Sequence, residues 1–192
     1  MSAKSPLRPG LWTRQPAEDI QSVYSDWAGT YDADLTERGY HTPERIAAAL
    51  RTALPEQTAP LLDYGCGTGI SGAALAAAGF DRLHGTDITP EMLGQATAKG
   101  IYAKTWVGTP GTVPAAPGTY QAIVAAGVVS LGAAPPETLD LLIDALGPGG
   151  LIALSFNDPS LEDGSYDARL QVHLDEARVQ LISRAHGPHP VS

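Results

Sequence analysis

The chain has 192 residues, 43 % hydrophobic and 17 % charged, enough for one domain with a sizeable core. Its 12 basic residues are scattered among 21 acidic ones for a net charge of −9, the opposite of the clustered cations that neutralise nucleic-acid phosphates. No apolar run has the length of a membrane span, no signal-peptide core opens the chain, and the lone Cys66 allows no internal disulfide, so the expectation is a cytoplasmic α/β protein with neither nucleic acid nor membrane as partner.

Residues 1–14 read as a polar, proline-containing lead-in. From Pro16 on, Ile20, Val23, Tyr24, Trp27 and Tyr31 recur at spacings of three and four, the period of a helix, which Gly29 and Thr30 weaken at its end. On spacing alone this is an aromatic stripe packed on a core. Residues 32–41 read as a loop. Thr42-Pro43-Glu44 then starts a second helix with a cap, a first-turn proline and an acid at the positive end, and Pro55 stops it.

Leu61-Leu62-Asp63-Tyr64 reads as a buried strand, followed by Gly65, Gly67 and Gly69 at alternate positions and an Ala-rich helix over 70–78. Such a turn brings bare backbone N–H groups close to a ligand. It fits two registers. Gly67-Thr68-Gly69-Ile70-Ser71-Gly72 matches the G-x-G-x-x-G of dinucleotide sites, with Asp87 twenty residues after Gly67 to hold a ribose. Asp63-x-Gly65-x-Gly67-x-Gly69 matches instead the glycine loop of S-adenosylmethionine (SAM) enzymes. Charge separates them. A carboxylate at the strand end repels a pyrophosphate but suits SAM, whose ammonium and sulfonium are cationic. No Gly-Lys-Ser/Thr follows to make a P-loop. A turn without a ligand is disfavoured because five glycines between 65 and 79 weaken the helix. Cys66 reads as a small side chain that fits between glycines, not as a nucleophile.

The second strand, 82–86, places Asp87 at its carboxyl end, where open parallel sheets bind ligands. Asp87 can accept from both ribose hydroxyls; a capping role is the weaker reading, because Thr89-Pro90-Glu91 already caps the helix that runs to Gly100. Ile88 and Met92 offer apolar surface to an adenine. Strands follow at 102–107, 119–126 and 151–156, with a loop at 110–118, a mobile loop at 127–132 and a helix at 136–146. Residues 157–165 read as a flexible, polar, acceptor-side loop, 167–177 as a helix and 178–185 as a sixth strand. His186 and His189 lie in a solvated tail with no acidic or Cys partner for a metal. The alternation implies a Rossmann-like, doubly wound, mostly parallel sheet over 59–185, in one domain spanning the chain.

Residues 61–69, Gly85-Thr86-Asp87-Ile88-Thr89-Pro90-Glu91-Met92-Leu93 and Leu146-Gly147-Pro148-Gly149-Gly150 together resemble the class I SAM-dependent methyltransferases. Val23-Tyr24-x-x-Trp27-Ala28-x-x-Tyr31-Asp32 narrows the likeness to the methyltransferase-like proteins of the Williams–Beuren syndrome region and their bacterial relatives. The resemblance implies that residues 16–54 form a helical lid over SAM, with Tyr24 and Tyr31 near its methionine end and Trp27 mainly packing. It adds Asp63, Gly65, Cys66, Gly67, Asp87, Ile88, Met92 and Ala126 to the cofactor site. Family members carry an Asp after the third strand for the adenine amino group. Here Val107-Gly108-Thr109-Pro110 stands there, leaving backbone or Thr109 to substitute, and Gln121 also replaces a usual Asp. The carboxylates of metal-dependent relatives are missing, so no metal is expected.

The expected reaction is methyl transfer to a small-molecule acceptor, yielding S-adenosylhomocysteine (SAH). Alignment alone can drive much of it; if a base is needed, His41, Asp158 and Tyr31 are candidates. The rivals are an NAD(P)-dependent oxidoreductase and a catalytically silent SAM-binding regulator. The family's seventh strand, antiparallel between strands five and six, is expected to be absent, since Gly187-Pro188 and His189-Pro190 oppose a strand there. A sheet of six strands or fewer follows.

Overall fold

The computed structural model describes residues 12–113 and 115–187; most of the lead-in and His189 lie outside them. Helices α1 (Ala17–Trp27), α2 (Tyr31–Glu37) and α3 (Thr42–Ala53) precede strand β1 (Leu61–Tyr64). Then α4 (Ile70–Ala77), β2 (Leu83–Asp87), α5 (Pro90–Ala98), β3 (Lys104–Val107) and β4 (Ala122–Ala125) follow. The chain continues through α6 (Thr138–Ala145), β5 (Leu151–Leu154), α7 (Asp158–Asp163) and α8 (Ser165–Asp175).

The strands form one sheet in the order β3-β2-β1-β4-β5, and every pairing is parallel. Strand alternation sorts the core onto two faces. Leu61, Leu83, Ala122 and Val124 pack with Ile46 and Leu50 of α3 and Leu75 of α4. Leu62, Ile123 and Ala125 pack with Leu139 and Leu142 of α6 and Tyr166 of α8. A smaller cluster joins Cys66 to Leu93 and Ala96 of α5. Asp63 pairs in register with Gly85, and Asp87 with Val107, so the carboxyl ends of the inner strands meet on one side. No helix among the described residues is long and apolar enough to cross a membrane.

Several expectations are corrected. Residues 32–41 are not simply a loop: α2 occupies Tyr31–Glu37, with Asp32 and Asp34 in its first turn at the positive end. Asp34 takes the Trp27 indole N–H at 2.7 Å, folding α2 back on α1. Residues 157–165 are largely helical. The Asn157 side chain caps α7 by accepting the Ser160 N–H at 2.9 Å, and Pro159 sits in the first turn. The 127–132 segment is built into the core, with Val129, Ser130 and Leu131 buried.

The sixth strand does not form. Residues 178–187 pair with no strand, and Leu181 and Ile182 stay 49 % and 65 % exposed. β-Propensity is realised only against a neighbour's ladder, and β5 pairs with β4 alone among the described strands. Arg178 meets Asp144 of α6 at 2.5 Å and Arg184 meets Asp167 of α8 at 2.9 Å, so side chains tie this run to the helices. The sheet thus has five strands, and residues 188–192, where the rest of the seventh-strand expectation falls, lie outside the described residues.

Candidate cofactor site

The glycine turn is closed by the Gly65 and Cys66 N–H groups, which both donate to the Thr86 carbonyl at 2.8 and 2.9 Å. Its glycines differ in what demands them. A Cβ on Gly65 would lie 2.5 Å from a Val128 methyl, and one on Gly69 3.2 Å from the Ala96 Cα, so packing on the β4 loop and on α5 excludes side chains there. Gly67, at φ +52°, has nothing within 4 Å of the same position. The space where its side chain would stand is open, as at a glycine that a ligand approaches.

Asp63 is buried at the end of β1. Its Oδ2 accepts the Ser71 hydroxyl at 2.7 Å and the Tyr102 hydroxyl at 2.6 Å, which holds the start of α4 to the sheet. Its Oδ1 is buried with no hydrogen-bond partner. Burial outweighs the two hydrogen bonds and lifts the carboxyl to about 6. A buried carboxylate with one orphaned oxygen is a receptor for a cation.

Asp87, at the end of β2, accepts the Gly67 N–H through Oδ2 and the Thr89 N–H through Oδ1, each at 2.8 Å. Burial raises this carboxyl too, against those bonds. Asp87 therefore caps the turn into α5 as well as bracing the glycine turn, and Thr89 makes no side-chain cap.

The N-terminal helices bring aromatic residues to this side. Tyr24 stacks with Trp27 at 6.1 Å between ring centres, and Tyr31 meets Trp27 edge-on at 4.7 Å. Burial first, then the neighbouring phenols, and after them Asp87, push the Tyr24 and Tyr31 phenols well above their ordinary value. Gln21 donates to the Ile88 carbonyl at 2.9 Å and Gln95 to the Ala28 carbonyl at 2.6 Å, fastening α1 to the β2–α5 connection. Trp27 is buried, as a packing residue should be.

The remaining expected residues are placed as follows. Met92 is fully buried, Ile88 and Ala126 are half-buried, and Thr109 is exposed past β3, its carbonyl accepting from Thr112. Cys66 is buried, and burial drives its thiol far upward, which keeps it unreactive. His41 is exposed and Asp158 lies in the first turn of α7. Gln121 braces the approach to β1, its side-chain oxygen accepting from the Thr58 and Ala59 N–H groups. Among the described residues no three His, Cys, Asp or Glu side chains are grouped to hold a metal.

Two residues escaped the sequence reading. Tyr40 reaches the end of β4, its hydroxyl 3.0 Å from where a Cβ on Gly127 would lie, and burial pushes its phenol up to about 12. Asp32 accepts the Thr68 hydroxyl at 2.5 Å and the Lys99 ammonium at 2.6 Å. Its only sequence signal was its place beside Tyr31.

A family model described as a methyltransferase domain matches residues 38–188. The chain belongs to that methyltransferase family. The human methyltransferase-like protein 27 is 36 % identical over 156 residues, covering 79 % of this chain and 63 % of the relative; the chain thus spans less than two thirds of that protein's length. Among solved structures, a TehB-like SAM-dependent methyltransferase from Corynebacterium glutamicum superposes with a TM-score of 0.58 at 21 % identity, covering 79 % of this chain and 83 % of that one. The methyltransferase complexed with the Haloferax volcanii Trm112 activator gives a TM-score of 0.58 at 26 % identity, covering 68 % of this chain and 58 % of that one. The Rossmann-like methyltransferase fold read from the sequence is the fold observed.

Proposed function

We propose that the protein is a SAM-dependent methyltransferase with a small-molecule acceptor. The orphaned Oδ1 of Asp63 carries the reading. Beside a glycine turn that leaves the side-chain position of Gly67 open, a buried carboxylate oxygen answers an ammonium and opposes a pyrophosphate. The methyltransferase family match and the human methyltransferase-like relative support the same cofactor.

In this reading Asp63 and the 65–69 turn hold the methionine part of SAM, Asp87 the ribose, and Ile88 the adenine, with Tyr24 and Tyr31 closing from the lid. SAM supplies an activated methyl group whose displacement needs alignment more than acid–base help. The chain's own work is to orient the cofactor, exclude water and hold the acceptor in line. Tyr31 and Tyr40, with phenols raised by burial, stay protonated and serve as hydrogen-bond donors, not bases.

A small acceptor suits the lid, which covers the site with aromatic residues, and the net charge of −9 opposes a nucleic-acid acceptor. Calorimetry with SAM, SAH and NAD in parallel tests the cofactor: SAM and SAH bind and NAD does not. Binding of NAD alone would overturn the reading. Protection of residues 16–35 from amide exchange on adding SAH tests the lid.

A further inference from the structure

We infer that Asp32 is a positioning residue, the latch that fixes the N-terminal segment to the glycine turn and so sets how long the cofactor stays bound. The inference rests on the lid reading above. One carboxylate joins three elements: Asp32 belongs to α2, Thr68 to the glycine turn and Lys99 to the C-terminal cap of α5. Oδ1 accepts from Thr68 at 2.5 Å and Oδ2 from Lys99 at 2.6 Å.

The two bonds are unequal. Lys99 and Asp32 are 30 % and 40 % exposed, so their ion pair is screened by water and salt. The Thr68 hydroxyl is buried, and its charge-assisted bond is the stronger one. Thr68 lies between Gly67, which has no protein atom where a side chain would stand, and Gly69, the N-cap of α4. A shift of Thr68 therefore moves the part of the turn that approaches a ligand.

Two side-chain bonds of α1 and its C-cap among the described residues, Gln21 to Ile88 and Gln95 to Ala28, attach α1 to the β2–α5 side and leave the glycine turn untouched. Asp32 joins α2 to the turn itself. Its charge is also well placed: no side chain caps the N-terminus of α4, whose positive end favours a nearby carboxylate. That is the pole at which a dinucleotide places its pyrophosphate, so Asp32 also works against phosphate-bearing ligands.

The test is SAH dissociation, followed by stopped-flow intrinsic fluorescence, in the full chain and in Asp32→Asn, Thr68→Val, the double variant and Lys99→Met. Asp32→Asn and Thr68→Val should each speed SAH release at least tenfold. The double variant should be no faster than the faster single one, because both remove the same contact. Lys99→Met should change the rate less than threefold. Unchanged release in Thr68→Val, or single effects that multiply in the double variant, would overturn the latch. Should Asp32→Asn not fold, Thr68→Val decides alone, since it keeps the carboxylate and its ion pair. Wild-type amides in 16–35 that ignore SAH would overturn the lid reading. Normal protection in wild type with unaltered release in both single variants would overturn only the latch.

Discussion

Asp87 accepts the Gly67 N–H at 2.8 Å, so the end of β2 and the turn after β1 are set by one carboxylate. With the other oxygen on the Thr89 N–H, the side chain is braced before any ligand arrives. Asp87→Ala should weaken SAM binding by about 1.5–3 kcal/mol, the range for hydrogen bonds to a charged group. Calorimetry measures it. An unchanged affinity with a lowered melting temperature would leave Asp87 as a turn former only.

The glycines of the turn should separate stability from binding. At Gly67 an added methyl meets no protein atom, but its left-handed backbone costs about 1–2 kcal/mol for any other residue. Gly67→Ala should melt a few degrees lower and lose SAM affinity tenfold or more. Gly65→Ala drives a methyl into Val128 and should lose the fold first. Thermal melts beside SAH titrations distinguish the two, and tight binding by Gly67→Ala would turn that face away from the cofactor.

Asp63 predicts two opposite pH dependences. Burial lifts its carboxyl to about 6 in the folded, ligand-free protein, from about 3.9 in an unfolded chain. The folded state holds this proton more tightly. Its contribution to stability is full below about pH 4 and is lost as pH rises through about 6, on the order of 3 kcal/mol. Binding runs the other way: the ionised form pairs with an ammonium, so SAH affinity should rise as pH passes upward through about 6. Asp63→Asn should flatten both profiles. Calorimetry from pH 5 to 8 checks them, and a flat wild-type binding profile would remove Asp63 from the site.

On the α6–α8 face of the sheet, opposite α4, His173 is buried in α8 with its Nε2 2.6 Å from Asp140 of α6, and Arg169 braces the same carboxylate. His173→Ala opens a cavity and removes a buried hydrogen bond. It should cost about 2–4 kcal/mol of stability with SAH affinity unchanged. Chemical denaturation and calorimetry on one preparation measure both.

What was legible in the sequence followed local rules. Leu61, Leu62 and the alternate glycines announced a strand and its turn, Thr89-Pro90-Glu91 a helix start, and the spacing of Asp87 its place beside Gly67. What was not legible depended on distant partners. α2 is held by Trp27 and Asp34 across a turn, and Asp32 matters through Thr68 and Lys99, 36 and 67 residues away. α7 carried a readable signal, Asn157 with Ser160 three residues on, hidden by its polar composition. Residues 178–185 have strand propensity and no ladder to join, which no local pattern can report.

Arg178 and Val179 hold to α8 through backbone bonds to the His173 carbonyl, but residues 178–187 are also tied to the helices by ion pairs, and that part of their attachment depends on the solvent's ions. Arg178 with Asp144 and Arg184 with Asp167 are ion pairs at the surface, each residue at least 38 % exposed. Screening lengths shrink from about 10 Å at 0.1 M salt to about 3 Å at 1 M, while the buried sheet is left alone. Trypsin should therefore cut after Arg178 and Arg184 faster in molar sodium chloride than in dilute buffer, once its own salt response is subtracted with a peptide substrate. Cleavage that ignores salt would mean that something other than charge keeps this run against the helices.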